Sequence, residues 1–149
     1  MIIKRWMKAA GLTALCLFLL LTSPAAADYF NSAITDPNDP VYWLDQGGLF
    51  ATYGSYSAAV EAYKKALALD ANNSKAYYDL ALAYGELGDL DQALVEINRA
   101  IALDADQGPY YYGRAWILLK DGRMAAAKEN FQKAADLGNL DAIAYLQER

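Results

Sequence analysis

Apolar and small residues recur along the chain at helical spacing, and the whole pattern repeats every 34 residues. The stretch GELGDLDQALVEINRAIALD, Gly85 to Asp104, has the pattern of one turn followed by one amphipathic helix. Similar stretches, GSYSAAVEAYKKALALD and GRMAAAKENFQKAADLG, lie upstream and downstream. Three sets of small residues keep the same step: Gly54, Gly88, Gly122; Ala59, Ala93, Ala127; Ala66, Ala100, Ala134. This fixed period predicts three copies of one supersecondary unit.

Each copy predicts two helices joined by a short turn. In the second copy the first helix covers roughly Ser74 to Leu87 and the second roughly Leu90 to Leu103. A glycine follows the first helix of every copy, where a left-handed residue closes the last turn. Ser55 and Asp89 come next and are able to cap the second helix. Arg123 takes that position in the third copy and predicts a poorer cap.

The recurring small residues have a packing explanation. Two helices joined by so short a turn pack antiparallel with their axes about 8–10 Å apart, and large side chains at the crossing would hold them apart. The residues expected at this crossing are Gly47, Ala81, Ala115 on one helix and Ala59, Ala93, Ala127 on the other. Larger residues are expected to fill the flanking space: Phe50, Tyr84, Leu118, Tyr63, Ile97, Phe131. One such hairpin cannot bury its apolar face alone, so the copies are expected to stack.

The 34-residue unit resembles the tetratricopeptide repeat. The second copy carries the family's pattern as Tyr77, Leu80, Ala81, Tyr84, Gly88, Leu90, Ala93, Ile97, Ala100. The first copy matches at Trp43, Gly47, Phe50, Gly54, Tyr56, Ala59, Tyr63, Ala66. The third copy has Arg114 where leucine is usual, but keeps Gly122, Ala127, Phe131, Ala134. The family's closing proline is absent, and its positions hold Ala71, Ala105, Asn139.

The resemblance implies an all-α, right-handed solenoid. Its three helix-turn-helix repeats would cover residues 40–73, 74–107 and 108–141, and a short capping helix would cover residues 140–149. Leu140, Ile143, Ala144 and Leu146 are expected on the inward side of that helix. Because the cap is short, part of the last apolar face is expected to stay uncovered.

The first 27 residues have the pattern of a secretory signal. Three basic residues open the chain, the apolar run Ala9–Leu21 follows, and Ala25 and Ala27 form a small-x-small cleavage site. The run of 13 residues is shorter than the ~20 that span a bilayer. We therefore expect cleavage after Ala27, an extended leader over residues 28–39, and an exported protein, periplasmic or secreted. Retention of the segment as an anchor is the alternative.

Charge and composition exclude several classes of function. The chain has 13 basic and 18 acidic residues, and the predicted signal removes three basic ones, which leaves 10 against 18 and a net charge of −8. Such a charge argues against nucleic acid or an anionic membrane surface as a partner. After the signal there is no histidine and no cysteine, so neither a Ser-His nor a Cys-His nucleophile pair can form. The usual transition-metal ligand sets are missing as well.

The acidic residues fall where turns and helix caps need them. Asp70, Asp89, Asp91 and Asp104 recur at helix ends, which favours capping over catalysis. We expect no enzymatic activity, no cofactor and no metal.

The family resemblance implies that the first helices of the repeats line a groove that binds partners. The corresponding positions are Leu44, Asp45, Gly48, Thr52, Lys75, Tyr78, Asp79, Leu82, Glu86, Tyr112, Gly113, Trp116 and Lys120. Family members that grip the carboxylate of chaperone C-termini use lysine, asparagine and arginine in this groove. The matching positions here are Leu44, Gly48, Asp79, Pro109 and Gly113. That clamp is missing, and Asp79 would repel a carboxylate.

The remaining groove is aromatic and acidic. Tyrosine and tryptophan dominate binding hot spots because they offer large contact area with few rotors to freeze. We expect a non-catalytic protein–protein interaction or scaffold module of the cell envelope, which binds an extended or helical peptide segment with apolar and basic side chains. The predicted partner-binding residues are Leu44, Asp45, Lys75, Tyr78, Asp79, Leu82, Glu86, Tyr112 and Trp116.

Three other interpretations remain open. Tyr78, Tyr112 and Trp116 could instead pack between neighbouring repeats. The tyrosine-rich surface could stack on sugar rings of a cell-wall glycan. The short cap could leave an end through which copies of the chain associate.

Overall fold

The computed structural model describes residues 36–148, and this part of the chain is helical with no strand. Its helices are α1 (Pro40–Thr52), α2 (Tyr56–Leu69), α3 (Ser74–Leu87), α4 (Leu90–Leu103), α5 (Gly108–Lys120), α6 (Met124–Asp136) and α7 (Leu140–Gln147). The predicted all-α fold of three helical hairpins and a short final helix is confirmed. The signal and residues 28–35 of the leader lie outside the described residues. No helix in 36–148 has the length and hydropathy to cross a bilayer.

Glycine closes the first helix of each hairpin, as predicted. Gly54, Gly88 and Gly122 have φ of 72°, 81° and 76°, a left-handed conformation that other residues rarely adopt. The next residue then donates its backbone N–H across the turn, for example from Asp89 to the carbonyl of Tyr84 at 3.0 Å. This bond satisfies a carbonyl that the helix end would otherwise leave unpaired.

The predicted helix caps are only partly correct. Asp89 accepts a hydrogen bond from the Gln92 N–H at 3.2 Å and caps α4. Ser55 makes no side-chain cap bond, so that prediction was wrong. The two residues have similar backbone conformations, with φ −85° and ψ 59° at Ser55 and φ −83° and ψ 74° at Asp89, and only the aspartate makes the cap bond. Arg123 makes no cap bond either, as expected.

Small residues stand where the two helices of a hairpin cross. Ala59, Ala93 and Ala127 are fully buried, and Ala81 and Ala115 are buried opposite them. Around these crossings lie three apolar clusters, which include the large buried residues Tyr63, Ile97 and Phe131. The clusters run along the stack because each hairpin buries its face against the next one.

The last helix begins in a different way from α3 and α5. Before those helices the chain makes four-residue connections, at residues 70–73 and 104–107. Before α7 it uses Gly138 with φ 80°, and the Asn139 N–H bonds the carbonyl of Ala134 at 3.0 Å. This is the turn found inside each hairpin. Asn139 also caps α7 by accepting from the Ala142 N–H at 2.8 Å.

Because of this turn, the inward face of the capping helix differs from the predicted one. Ala142 is buried, and Tyr145 and Leu146 pack on the last apolar cluster, which is helical i, i+3, i+4 spacing. Leu140 is 78% exposed and Ala144 is exposed, contrary to prediction. The glycine turn starts α7 two residues before the 34-residue period would place it, so a different side of the helix faces inward.

Candidate functional site

A pocket of about 440 Å³ opens between the first and second repeats, and we call it the first-repeat pocket. It is lined by Gly48, Ala51, Tyr56, Tyr63, Lys75, Asp79, Leu82, Ala83 and Glu86. Four predicted partner-binding residues therefore meet in one place: Lys75, Asp79, Leu82 and Glu86. All of these residues lie on α1, α2 and α3, so the pocket depends on the packing of the first hairpin against the second.

The pocket exists because one side chain is missing. At the 34-residue step, Gly48 corresponds to Leu82 and Trp116. A Cβ atom placed on Gly48 would meet no atom within 4 Å. Its neighbour Gly47 is different, because a Cβ there would lie 2.4 Å from a ring atom of Tyr63. Gly47 is required by packing inside the hairpin, whereas Gly48 leaves open space.

Asp79 is the most desolvated charge in the pocket. Its side chain is 18% exposed, and one oxygen accepts a hydrogen bond from Lys75 Nζ at 2.6 Å. Burial raises the pKa of Asp79, and the nearby lysine offsets part of that rise. Burial also raises the pKa of Tyr63 to about 12, with a smaller contribution from the negative charge of Asp79. A carboxylate held by only one cation can still accept hydrogen bonds from a second.

Glu86 connects the second repeat to the third. Its Oε1 lies 2.7 Å from Lys120 Nζ, which also donates to the carbonyl of Gly85 at 3.2 Å. Both charged side chains are substantially exposed, so the pair contributes little to stability. No three acidic side chains within 36–148 converge as metal ligands.

Tyr78, a predicted partner-binding residue, does not line the first-repeat pocket and packs between the second and third repeats. Its ring stacks on that of Tyr110, with centroids 4.9 Å apart and planes 29° apart. It also lies over Gly113, where a Cβ would come within 2.9 Å of the ring. Leu82 approaches the same glycine, as expected for residues one turn apart on one helix face. Burial, followed by the charges of Asp79 and neighbouring tyrosines, raises the pKa of Tyr78 to about 12.

The raised tyrosine pKa values predict alkaline destabilisation. Because Tyr63 and Tyr78 ionise near pH 12 when folded but near pH 10 when unfolded, the stability they add is complete below pH 10. It is lost progressively as the pH rises towards 12. Urea unfolding between about pH 9 and pH 12 should show a falling midpoint, with a smaller fall in Tyr78→Phe. Tyr53→Phe, at an exposed position, should behave like the parent chain. A midpoint that is constant over this range would contradict the burial of both hydroxyls.

Tyr112 and Trp116 belong to a separate aromatic cluster. Their rings lie 6.2 Å apart, and both contact Phe131, at 5.6 and 5.9 Å. Tyr145 of α7 stacks on Phe131 at 4.0 Å and approaches Trp116 at 5.9 Å. Trp116 nevertheless remains 41% exposed. These two predicted residues do not line the first-repeat pocket.

The two predicted residues of α1 do not line the pocket. Leu44 packs against the apolar cluster of the first repeat. Asp45 is exposed, and none of the ion pairs within residues 36–148 includes it. The prediction missed four lining residues: Ala51, Tyr56, Tyr63 and Ala83. The Gly47–Gly48 pair was the available signal, because two glycines inside a helix are costly unless space is needed there.

A stack of helical hairpins at a 34-residue period, with a pocket between its first helices, defines a helical repeat protein. Tetratricopeptide repeat models match residues 51–117 and 108–137, so together they cover 51–137, more than half of the 149 residues. The chain belongs to the tetratricopeptide repeat family. No curated protein matches the sequence.

Solved structures with the same fold include several repeat domains. The second TPR domain of human RPAP3, in complex with an HSP70 peptide, is 26% identical, with a TM-score of 0.67 over 73% of this chain and 92% of that chain. MamA is 27% identical, with a TM-score of 0.65 over 76% of this chain and 66% of that chain. A Thermobaculum terrenum O-GlcNAc transferase is 25% identical over 66% of this chain but only 19% of that chain, with a TM-score of 0.64.

Proposed function

We propose that this protein is a non-catalytic interaction module that binds a peptide or helical segment in the first-repeat pocket. The human RPAP3 domain binds the HSP70 peptide SGPTIEEVD, and the second TPR of Spaghetti, 25% identical to this chain, binds the HSP90 peptide SRMEEVD. These complexes support peptide binding as the general role. The sequence pattern of residues 1–27 supports a setting in the cell envelope, as part of the same proposal.

The chemistry of the pocket favours a different kind of peptide. The two bound peptides end in EEVD, whereas this pocket presents the carboxylates of Asp79 and Glu86. Like charges in a partly desolvated site repel, so an acidic terminus would bind poorly. A lysine or arginine side chain could instead approach Asp79, with its methylene groups along Leu82, Ala51 and Ala83. The partner is therefore a segment with apolar and basic side chains.

The observation that carries the proposal is the open space at Gly48. A glycine inside a helix costs about 1 kcal/mol relative to alanine. At Gly47 the close approach of the Tyr63 ring explains this cost, whereas at Gly48 no contact among the described residues explains it. An open helix surface facing a pocket is what a closely approaching peptide backbone or side chain requires.

We expect that Gly48→Leu blocks peptide binding without loss of stability. Leucine is the residue at the corresponding position of the second repeat, and it favours helix over glycine. Its side chain would occupy the pocket. Fluorescence polarisation with a library of basic–apolar peptides should find binders whose affinity falls at least tenfold in this variant, about 1.4 kcal/mol. Unchanged affinity for every binder would show that the pocket is not the site.

A charge variant tests the expected peptide chemistry. Asp79→Asn keeps the shape of the side chain and removes its charge, so binding of basic peptides should weaken while binding of neutral apolar peptides should not. Glu61→Gln is the matched control, because Glu61 is an exposed acid on α2 that does not line the pocket. Equal weakening in both variants would mean that overall charge, and not Asp79, attracts the peptide.

Self-association is a second candidate function. A pocket of about 250 Å³ lined by Leu119, Met124, Lys128, Tyr145 and Leu146 lies beside the short α7. Met124 is largely exposed there, so apolar surface remains beyond the cap. Sedimentation velocity over a concentration series discriminates the two candidates, because a peptide-binding monomer keeps one sedimentation coefficient at every concentration.

A further inference from the structure

Arg114 occupies a position that is apolar in the second repeat. The residue 34 positions earlier, Leu80, is almost fully buried in an apolar cluster. Arg114 is half-buried, and its guanidinium lies between α4 and α6. Its Nε donates to the side-chain oxygen of Asn130 at 2.7 Å, and one terminal nitrogen donates to that of Asn98 at 2.9 Å. Two asparagines from different repeats therefore hold the guanidinium in one orientation.

The charge of Arg114 has no counter-charge within residues 36–148. Both hydrogen-bond acceptors are neutral amides, and no carboxylate lies within ion-pair distance. Among the described residues, the one cation–π contact of Arg114 is with the ring of Tyr111, whose centroid lies 5.2 Å from the guanidinium carbon. Burial lowers the pKa of Arg114, as expected where the charged form is poorly solvated. Partly buried charges are normally paired, so this position is prepared for an anion that the described residues do not provide.

A pocket of about 250 Å³, the Arg114 pocket, opens beside this guanidinium. It is lined by Leu94, Asn98, Arg114, Leu118, Arg123, Ala126 and Asn130. No acidic residue lines it. Arg123 is loosely paired, with 3.8 Å between its terminal nitrogen and an oxygen of Asp121, and its side chain is mostly exposed. The pocket thus combines two guanidinium groups with the apolar side chains of Leu94, Leu118 and Ala126, and it shares no residue with the first-repeat pocket.

We propose that the Arg114 pocket binds a carboxylate side chain of a protein partner. A guanidinium with a fixed plane pairs with a carboxylate through two parallel hydrogen bonds. The small volume and the apolar side chains Leu94, Leu118 and Ala126 suit one aspartate or glutamate side chain with its methylene groups. The described part of the chain is strongly acidic overall, which disfavours polyanions such as nucleic acid. The proposal goes beyond the groove, because it adds a second site of opposite charge.

Nuclear magnetic resonance of the arginine Nε–H groups tests this directly. The probes are the capped tripeptide acetyl-Ala-Glu-Ala-amide, its Gln counterpart and inorganic phosphate, each added to the full chain. We expect the Glu tripeptide to shift the Arg114 signal saturably, with a dissociation constant in the millimolar range, and the Gln tripeptide to leave it unchanged. Arg99 is the internal control, because it is already paired with Glu96 at 3.0 Å and should shift much less.

Two variants complete the test. Arg114→Leu installs the residue found at the same position of the second repeat, so it should fold with an equal or higher melting temperature. In that variant the side-chain amide signals of Asn98 and Asn130 should no longer respond to the Glu tripeptide. Arg114→Lys keeps the charge but not the planar guanidinium, so the response of the same two asparagine amides to the Glu tripeptide should weaken at least tenfold.

Three results would overturn the proposal. The first is an Arg114 shift no larger than that of Arg99. The second is an equal response of the Arg114 signal to the Glu and Gln tripeptides, or a response to phosphate without a response to the Glu tripeptide. The third is a persisting amide response in Arg114→Leu. If that variant fails to fold, the wild-type titration and Arg114→Lys still decide the question.

Discussion

Phe131→Ala is expected to destabilise the protein by about 3–5 kcal/mol, the range for deleting a fully buried phenylalanine. The Phe131 side chain is completely buried, and its ring contacts those of Tyr112, Trp116 and Tyr145. It therefore joins α5, α6 and α7, and a cavity there cannot be filled by a small shift of one helix. Against the 5–15 kcal/mol typical of a domain, this loss is large. Equilibrium urea unfolding followed by circular dichroism measures it.

Met124→Ala is the matched control for this prediction. Met124 begins the same helix and is largely exposed, so its truncation should change stability by no more than about 0.5 kcal/mol. Loss of the contact with α7 should also expose the Trp116 ring in Phe131→Ala, which shifts its fluorescence maximum to longer wavelength. A destabilisation below about 1 kcal/mol would contradict the central position of Phe131 in the cluster.

Sequence periodicity was sufficient to predict the bounds of the helices, because each hairpin uses the same glycine turn and the same small residues at the helix crossing. The glycine that ends α3 and the alanines at the crossing are determined by neighbours along the same hairpin, so the second-copy helices lie where they were predicted. The inward face of α7 could not be read from the period. It depends on Gly138, which produces an intra-hairpin type of turn where the repeat predicts a longer connection.

The candidate site was harder to predict than the fold. Column positions predicted Lys75, Asp79, Leu82 and Glu86 as groove residues, and all four line the first-repeat pocket because helical spacing brings them to a shared face of α3. The first-repeat pocket itself results from a missing side chain at Gly48 and from the direction of the Tyr63 ring. Neither depends on periodicity. The separation of Tyr112 and Trp116 from that pocket depends on contacts between α5, α6 and α7, which are distant in sequence.

Adjacent glycines of α1 are expected to respond oppositely to the same substitution. In Gly48→Ala the new Cβ meets open space, so the variant should gain about 1 kcal/mol of stability from helix propensity. In Gly47→Ala the new Cβ would lie 2.4, 2.6 and 2.9 Å from three atoms of the Tyr63 ring. Overpacking of this kind costs about 1–3 kcal/mol. The two variants have identical composition, so the propensity gain cancels and their difference in unfolding free energy measures the steric cost.

The same pair of variants also links stability to binding. The Tyr63 ring is almost fully buried and lines the first-repeat pocket, so the free volume into which it can move is that pocket. Gly47→Ala should therefore weaken peptide binding as well as stability, although residue 47 itself does not line the pocket. Gly48→Ala should bind nearly as well as the parent chain, since one methyl group leaves most of the volume open. Equal urea midpoints for the two variants would mean that the Tyr63 ring does not lie over α1 as described.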